Sequence, residues 1–99
     1  MKDLNVIVYT MNGCPFCTDF KNMLDENKIE YIDRDIDEFK EEYDIFSEVT
    51  KNDMIPALLI IEDSNKNPKS YLYAPDRDYM ELTEALDIIK KHVKTAGIV

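Results

Sequence analysis

The stretch Val6-Ile7-Val8-Tyr9 has no polar face, and that limits the folds open to this chain more than any other feature. A strand sends successive side chains to opposite surfaces, so an all-apolar run needs cover on both. A second run, Leu58-Leu59-Ile60-Ile61, makes the same demand. Ninety-nine residues, 44% of them apolar, can supply that cover within a single domain over residues 1–99, without disulfide or metal staples. The expected class is α/β, with helices packed on a sheet.

Periodicity then orders the elements. Leu4 to Tyr9 reads as the first strand, and Phe16, Phe20, Met23 and Leu24 recur at helical spacing over Pro15 to Glu26. Ile29 to Ile36 reads as a second strand. Phe39, Tyr43, Phe46 and Val49 mark a second helix, opened by the acidic pair Asp37-Glu38. Ala57 to Glu62 is a third strand, and the turn formers of Asp63 to Lys69 join it to a fourth at Ser70 to Tyr73. Asp78 followed by Glu81 matches a capping box, with Tyr79, Leu82, Leu86, Ile89 and Val93 as the apolar stripe of a last helix. The tail from Thr95 to Val99 is expected to fray. The order β-α-β-α-β-β-α predicts a four-stranded mixed sheet flanked by three helices.

Charge narrows the function. A net charge of −9 argues against a general nucleic-acid binder and against an anionic membrane surface. The longest apolar run, Met54 to Ile61, is far short of a membrane span. No small-residue cleavage site follows the N-terminal segment, so a cytoplasmic setting is expected, with a monomer as the default state.

The only two cysteines, Cys14 and Cys17, fall where the first strand gives way to the first helix. Pro15 suits the first helical position, where a missing N–H does no harm. Cys14 then occupies the N-cap, near unpaired backbone N–H groups and the positive end of the helix dipole, which favour the nucleophilic thiolate. Cys17 lies one turn inward on the same face and can close a small disulfide. The spacing predicts an exposed attacking thiol at Cys14 and a more buried resolving thiol at Cys17. Free cysteines also serve as small buried hydrophobes, but two at this spacing in such a turn point to redox chemistry. A structural zinc site needs four ligands, and the chain offers no third cysteine and only His92, so no metal is expected.

The motif Cys14-Pro15-Phe16-Cys17 after Val8-Tyr9-Thr10 resembles the dithiol glutaredoxins, with Phe16 in place of the usual Tyr. The element order is similar to the thioredoxin-like fold of that family. Met54-Ile55-Pro56-Ala57 resembles the family's Thr-Val-Pro segment, which implies a cis bond before Pro56 and an Ile55 backbone that pairs with an extended substrate. The resemblance implies a thiol–disulfide oxidoreductase that uses glutathione as co-substrate. Its partners would be disulfide-containing or glutathionylated proteins.

Two departures bear on that implication. The position three residues before the first cysteine, commonly Lys in the family, is Met11, and the Gly-Gly-containing loop before the last helix is replaced by the glycine-free Tyr73 to Asp78. The candidate glutathione-binding residues are therefore Phe16, Ile55 and Pro56, with Asp76 or Asp78 for an ammonium group and Arg77 or Lys51 for a carboxylate. Two alternatives remain at this stage. One is a thioredoxin-like electron donor recycled by another reductase, and the other is an iron–sulfur cluster carrier or a non-catalytic binding module, such as a thioredoxin-fold adaptor acting through its surface alone.

Overall fold

A computed structural model describes residues 3–63 and 68–95. Seven elements follow one another: β1 (Asp3–Thr10), α1 (Pro15–Glu26), β2 (Ile32–Asp35), α2 (Lys40–Thr50), β3 (Ala57–Asp63), β4 (Lys69–Tyr73) and α3 (Leu82–Thr95). The strands form one mixed sheet in the order β2-β1-β3-β4. β1 pairs with β2 in parallel, bringing Ile7 opposite Ile32 and Thr10 opposite Asp35. It pairs antiparallel with β3, from Asp3 opposite Asp63 to Tyr9 opposite Ala57. The parallel pair needs a crossover, which α1 supplies; β3 and β4 pair antiparallel and are joined through residues 64–68, of which 64–67 lie outside the described residues.

The two apolar runs are the two central strands, and both faces of the sheet are covered. Val6, Val8, Leu58 and Ile60 pack on one side with Phe20 and Leu24 of α1 and Ala85, Leu86 and Ile89 of α3. Ile7, Tyr9 and Ala57 face the other way, against Tyr43 and Phe46 of α2. The Tyr9 ring packs on Tyr43 and Phe46 with centroids 5.5 and 5.0 Å away. Its hydroxyl donates to Glu42, a carboxylate that also pairs with Arg34. Burial and that hydrogen bond push the Tyr9 hydroxyl well above the ordinary tyrosine range.

Glu62, the buried one of the two acidic residues in β3, has a partner: its carboxylate lies 2.8 Å from His92 Nδ1. A carboxylate only accepts, so the proton is on Nδ1, and Nε2 lies 2.6 Å from the Tyr73 hydroxyl.

Several element details differ from the sequence expectation. β2 is confined to Ile32–Asp35 at the sheet edge, so residues 29–31 stand outside the ladder. The buried face of α1 is Cys17, Phe20 and Leu24 rather than a stripe starting at Phe16, which is 65% exposed. In α2 the buried residues are Tyr43, Phe46 and Thr50; Val49 is 64% exposed because Thr50, not Val49, continues the three-and-four spacing. Asp37 and Glu38 precede α2 in a turn closed by the Asp35 carboxylate, and Glu41 and Glu42 occupy its first turn. Asp78 does not cap α3. Glu84 Oε1 accepts the Glu81 and Met80 N–H groups at 3.0 and 3.2 Å, the carboxylate half of a capping box three residues later. α3 runs to Thr95, and residues 96–99, the rest of the tail expected to fray, lie outside the described residues.

Candidate active site

The turn from β1 into α1 sets the cysteines. Gly13 has φ +80°, with open space where a Cβ would stand, so backbone conformation rather than crowding selects glycine there. Cys14 follows in an extended conformation as the N-cap, with Pro15 opening the helix. Its Sγ accepts the Cys17 N–H at 3.1 Å. The two cysteines are joined as a disulfide, their Cα atoms 5.2 Å apart. Cys17 is 1% exposed and Cys14 is partly exposed, so a reagent from solvent meets Cys14 first. In the reduced form the same N–H and the helix N-terminus would stabilise a Cys14 thiolate.

Opposite this turn, two loops are fastened together. The peptide bond between Ile55 and Pro56 is cis, as the resemblance implied. Asn52 spans the gap: its Oδ1 accepts the Met54 N–H at 2.8 Å, and its Nδ2 donates to the Pro75 carbonyl at 2.5 Å. The Tyr79 hydroxyl donates to the Pro56 carbonyl. Burial pushes that hydroxyl far above its usual range, so it remains a donor across ordinary pH.

The loop before α3 closes without glycine. Asp76 takes the left-handed conformation at φ +65°, which aspartate tolerates better than most residues. The Asp76 N–H reaches the Tyr79 carbonyl at 2.8 Å, and the Asp78 N–H reaches that of Ala74 at 2.9 Å. The Asp78 carboxylate turns back onto the Ala74 N–H at 2.8 Å, and Arg77 sits 3.6 Å from it.

Between the loops lies a groove of about 360 Å³ that starts at Phe16, between the two cysteines in sequence. Its walls are mostly apolar: Phe16, Met54, Ile55, Pro56, Pro75, Tyr79, Met80 and Leu82, joined by the acidic residues Asp19, Asp76 and Glu81. Of the candidate binding residues, Phe16, Ile55, Pro56 and Asp76 come together here. Asp78 is engaged within its own loop, Arg77 pairs with Asp78, and Lys51 stands exposed at the C-cap of α2; none of these lines the groove.

Sequence reasoning missed Asn52 and Tyr79 as the residues that hold the two loops. An asparagine between elements gives no periodic signal, and Tyr79 sits at a spacing that suits the α3 stripe although it precedes the helix. Tyr79→Phe tests the fastening. It leaves the Pro56 carbonyl without its donor and is expected to cost about 1–3 kcal/mol in urea unfolding. An unchanged midpoint would mean that another group satisfies that carbonyl.

Among known proteins, the family model described as Glutaredoxin matches residues 6–64. No curated protein matches the chain. Among solved structures, Trichomonas vaginalis thioredoxin is similar, with a TM-score of 0.59 and 16% identity, covering 93% of this chain and 78% of that one. That likeness is one of fold. Cys14 and Cys17 stand at the position of the Cys-x-x-Cys pair.

Proposed function

The chain belongs to the glutaredoxin family, and from that membership we propose that it is a glutathione-linked thiol–disulfide oxidoreductase working through Cys14 and Cys17. The observation that carries this reading is the pair itself: a partly exposed sulfur at a helix N-cap and a buried one a turn behind it, beside an open groove.

The reduced protein begins with the Cys14 thiolate attacking one sulfur of a substrate disulfide. That bond breaks, the departing sulfur leaves as a thiolate and takes up a proton, and a mixed disulfide joins Cys14 to the substrate. Cys17, deprotonated, attacks Cys14 Sγ, releasing the second substrate thiol and closing Cys14–Cys17. Two electrons have passed from the dithiol to the substrate. Two molecules of glutathione reopen the protein disulfide and leave as glutathione disulfide. Ile55 and Pro56 would align an extended substrate and Phe16 would border its path. The family's use of glutathione supports its place as reductant. The cytoplasm, where thiols are kept reduced, is the setting we propose.

The test is recycling. The protein with glutathione and glutathione reductase is expected to turn over a disulfide substrate, with little turnover when thioredoxin reductase is the only electron source. Its potential should fall within the glutaredoxin range of about −200 to −230 mV rather than near the −270 mV of thioredoxin, a gap of roughly 2–3 kcal/mol. Turnover with thioredoxin reductase alone and a potential near that of thioredoxin would reject the glutathione linkage.

A further inference from the structure

We propose, resting on the exchange chemistry above, that the groove selects disulfides carried on extended, apolar and cationic segments of proteins, and that Asp19, Asp76 and Glu81 determine this specificity. Two segments distant in sequence, α1 and the 74–81 connection into α3, bring three acidic residues to the same apolar groove, Asp19 from the first and Asp76 and Glu81 from the second. All three residues are exposed, and among the described residues none of them forms an ion pair. Among the described residues, no Lys, Arg or His lines the groove.

The cations closest in sequence are otherwise engaged: Arg77 with Asp78, and Lys21 with Asp33 at 3.0 Å. Glutathione, with two carboxylates and one ammonium, would gain less from this groove than a cationic peptide, while its thiol can still reach the partly exposed Cys14 as reductant. A peptide with Lys or Arg beside its cysteine would set apolar side chains on Phe16, Met54 and Met80 and its cations among the carboxylates. The β1–β3 ladder ends at Ala57, leaving the Ile55 backbone ahead of it for an added strand. The net charge of −9 would draw the same partner from a distance, an attraction that salt weakens.

The experiment uses pre-reduced protein in single turnover, so no recycling system enters. Two peptides of equal length, one with Lys and one with Glu flanking the cysteine, are each supplied as the mixed disulfide with mercaptoethanol. At low salt the Lys peptide is expected to be reduced about tenfold faster or more, the ratio that 1.4 kcal/mol sets, and the ratio should shrink as salt rises. In the Asp19→Asn, Asp76→Asn, Glu81→Gln variant the ratio should fall toward unity; being a ratio, it is insensitive to a partial loss of active protein. Rates within twofold of each other, or faster reduction of the Glu peptide, would overturn the proposal. A ratio that survives in the triple variant would assign the preference to overall charge and overturn the role of the three carboxylates. Reduction of the small neutral disulfide of mercaptoethanol separates the two levels. If the protein reduces it but does not discriminate between peptides, only the specificity is wrong; if it reduces neither the neutral disulfide nor the peptides, the exchange chemistry falls as well.

Discussion

Cys14→Ser is expected to abolish turnover on every disulfide substrate, by at least ~10³-fold, whereas Cys17→Ser should keep a monothiol reaction with glutathione mixed disulfides within roughly tenfold of wild type. The asymmetry follows from position. Cys14 is at the N-cap, partly exposed and within reach of a substrate, while Cys17 is buried behind it. A hydroxyl at position 14 is not appreciably ionised and cannot form the mixed disulfide. A hydroxyl at position 17 removes only the resolving sulfur, and glutathione can then release the substrate from Cys14. Protein disulfides that depend on Cys17 for resolution should slow far more in that variant. Glutathione-coupled rates for the two variants decide it. Activity retained in Cys14→Ser would end the catalytic assignment, and equal loss in both variants would end the division of labour.

Phe20→Ala should destabilise the protein by about 3–5 kcal/mol, a large share of the roughly 5–15 kcal/mol that separates folded and unfolded states of ordinary domains. Phe20 is fully buried, one turn after Cys17 on the same face of α1, and packs into the cluster built from β1, β3 and α3. Truncation leaves a cavity under the helix that carries Cys17 and is capped by Cys14. Phe20→Leu keeps most of the volume and should cost far less, about 1 kcal/mol. Urea midpoints with an unchanged slope would measure both. An alanine variant within about 1 kcal/mol of wild type would mean that α1 settles inward to refill the space.

The central strands were legible because their residues carry no compromise: a run without a polar face has one stable setting, and both Leu4–Tyr9 and Ala57–Glu62 landed at the centre of the sheet. The cysteine turn was legible for a similar reason. Proline at the first helical position and glycine two residues before it leave the backbone few choices. Legibility failed where a side chain had two acceptable environments. Phe16 suits a helix stripe by spacing, yet lies at the groove because the smaller Cys17 takes the inward position. Asp78 suits an N-cap by pattern, yet closes the loop before it, and Glu84 serves α3 instead.

The sequence by itself determined the α/β order of elements, the central position of β1 and β3, and the placing of Cys14 and Cys17 at a strand-to-helix turn, since these depend on local periodicity and backbone chemistry. Only the tertiary structure decided what surrounds those sulfurs. Asn52 and Tyr79 tie the Pro56 loop to the loop before α3, and Asp19, Asp76 and Glu81 share one groove while Lys51, Arg77 and Asp78 stand outside it. Those groupings join residues as many as 62 positions apart (19 to 81), and they depend on how helices seat on the sheet, which no local pattern encodes.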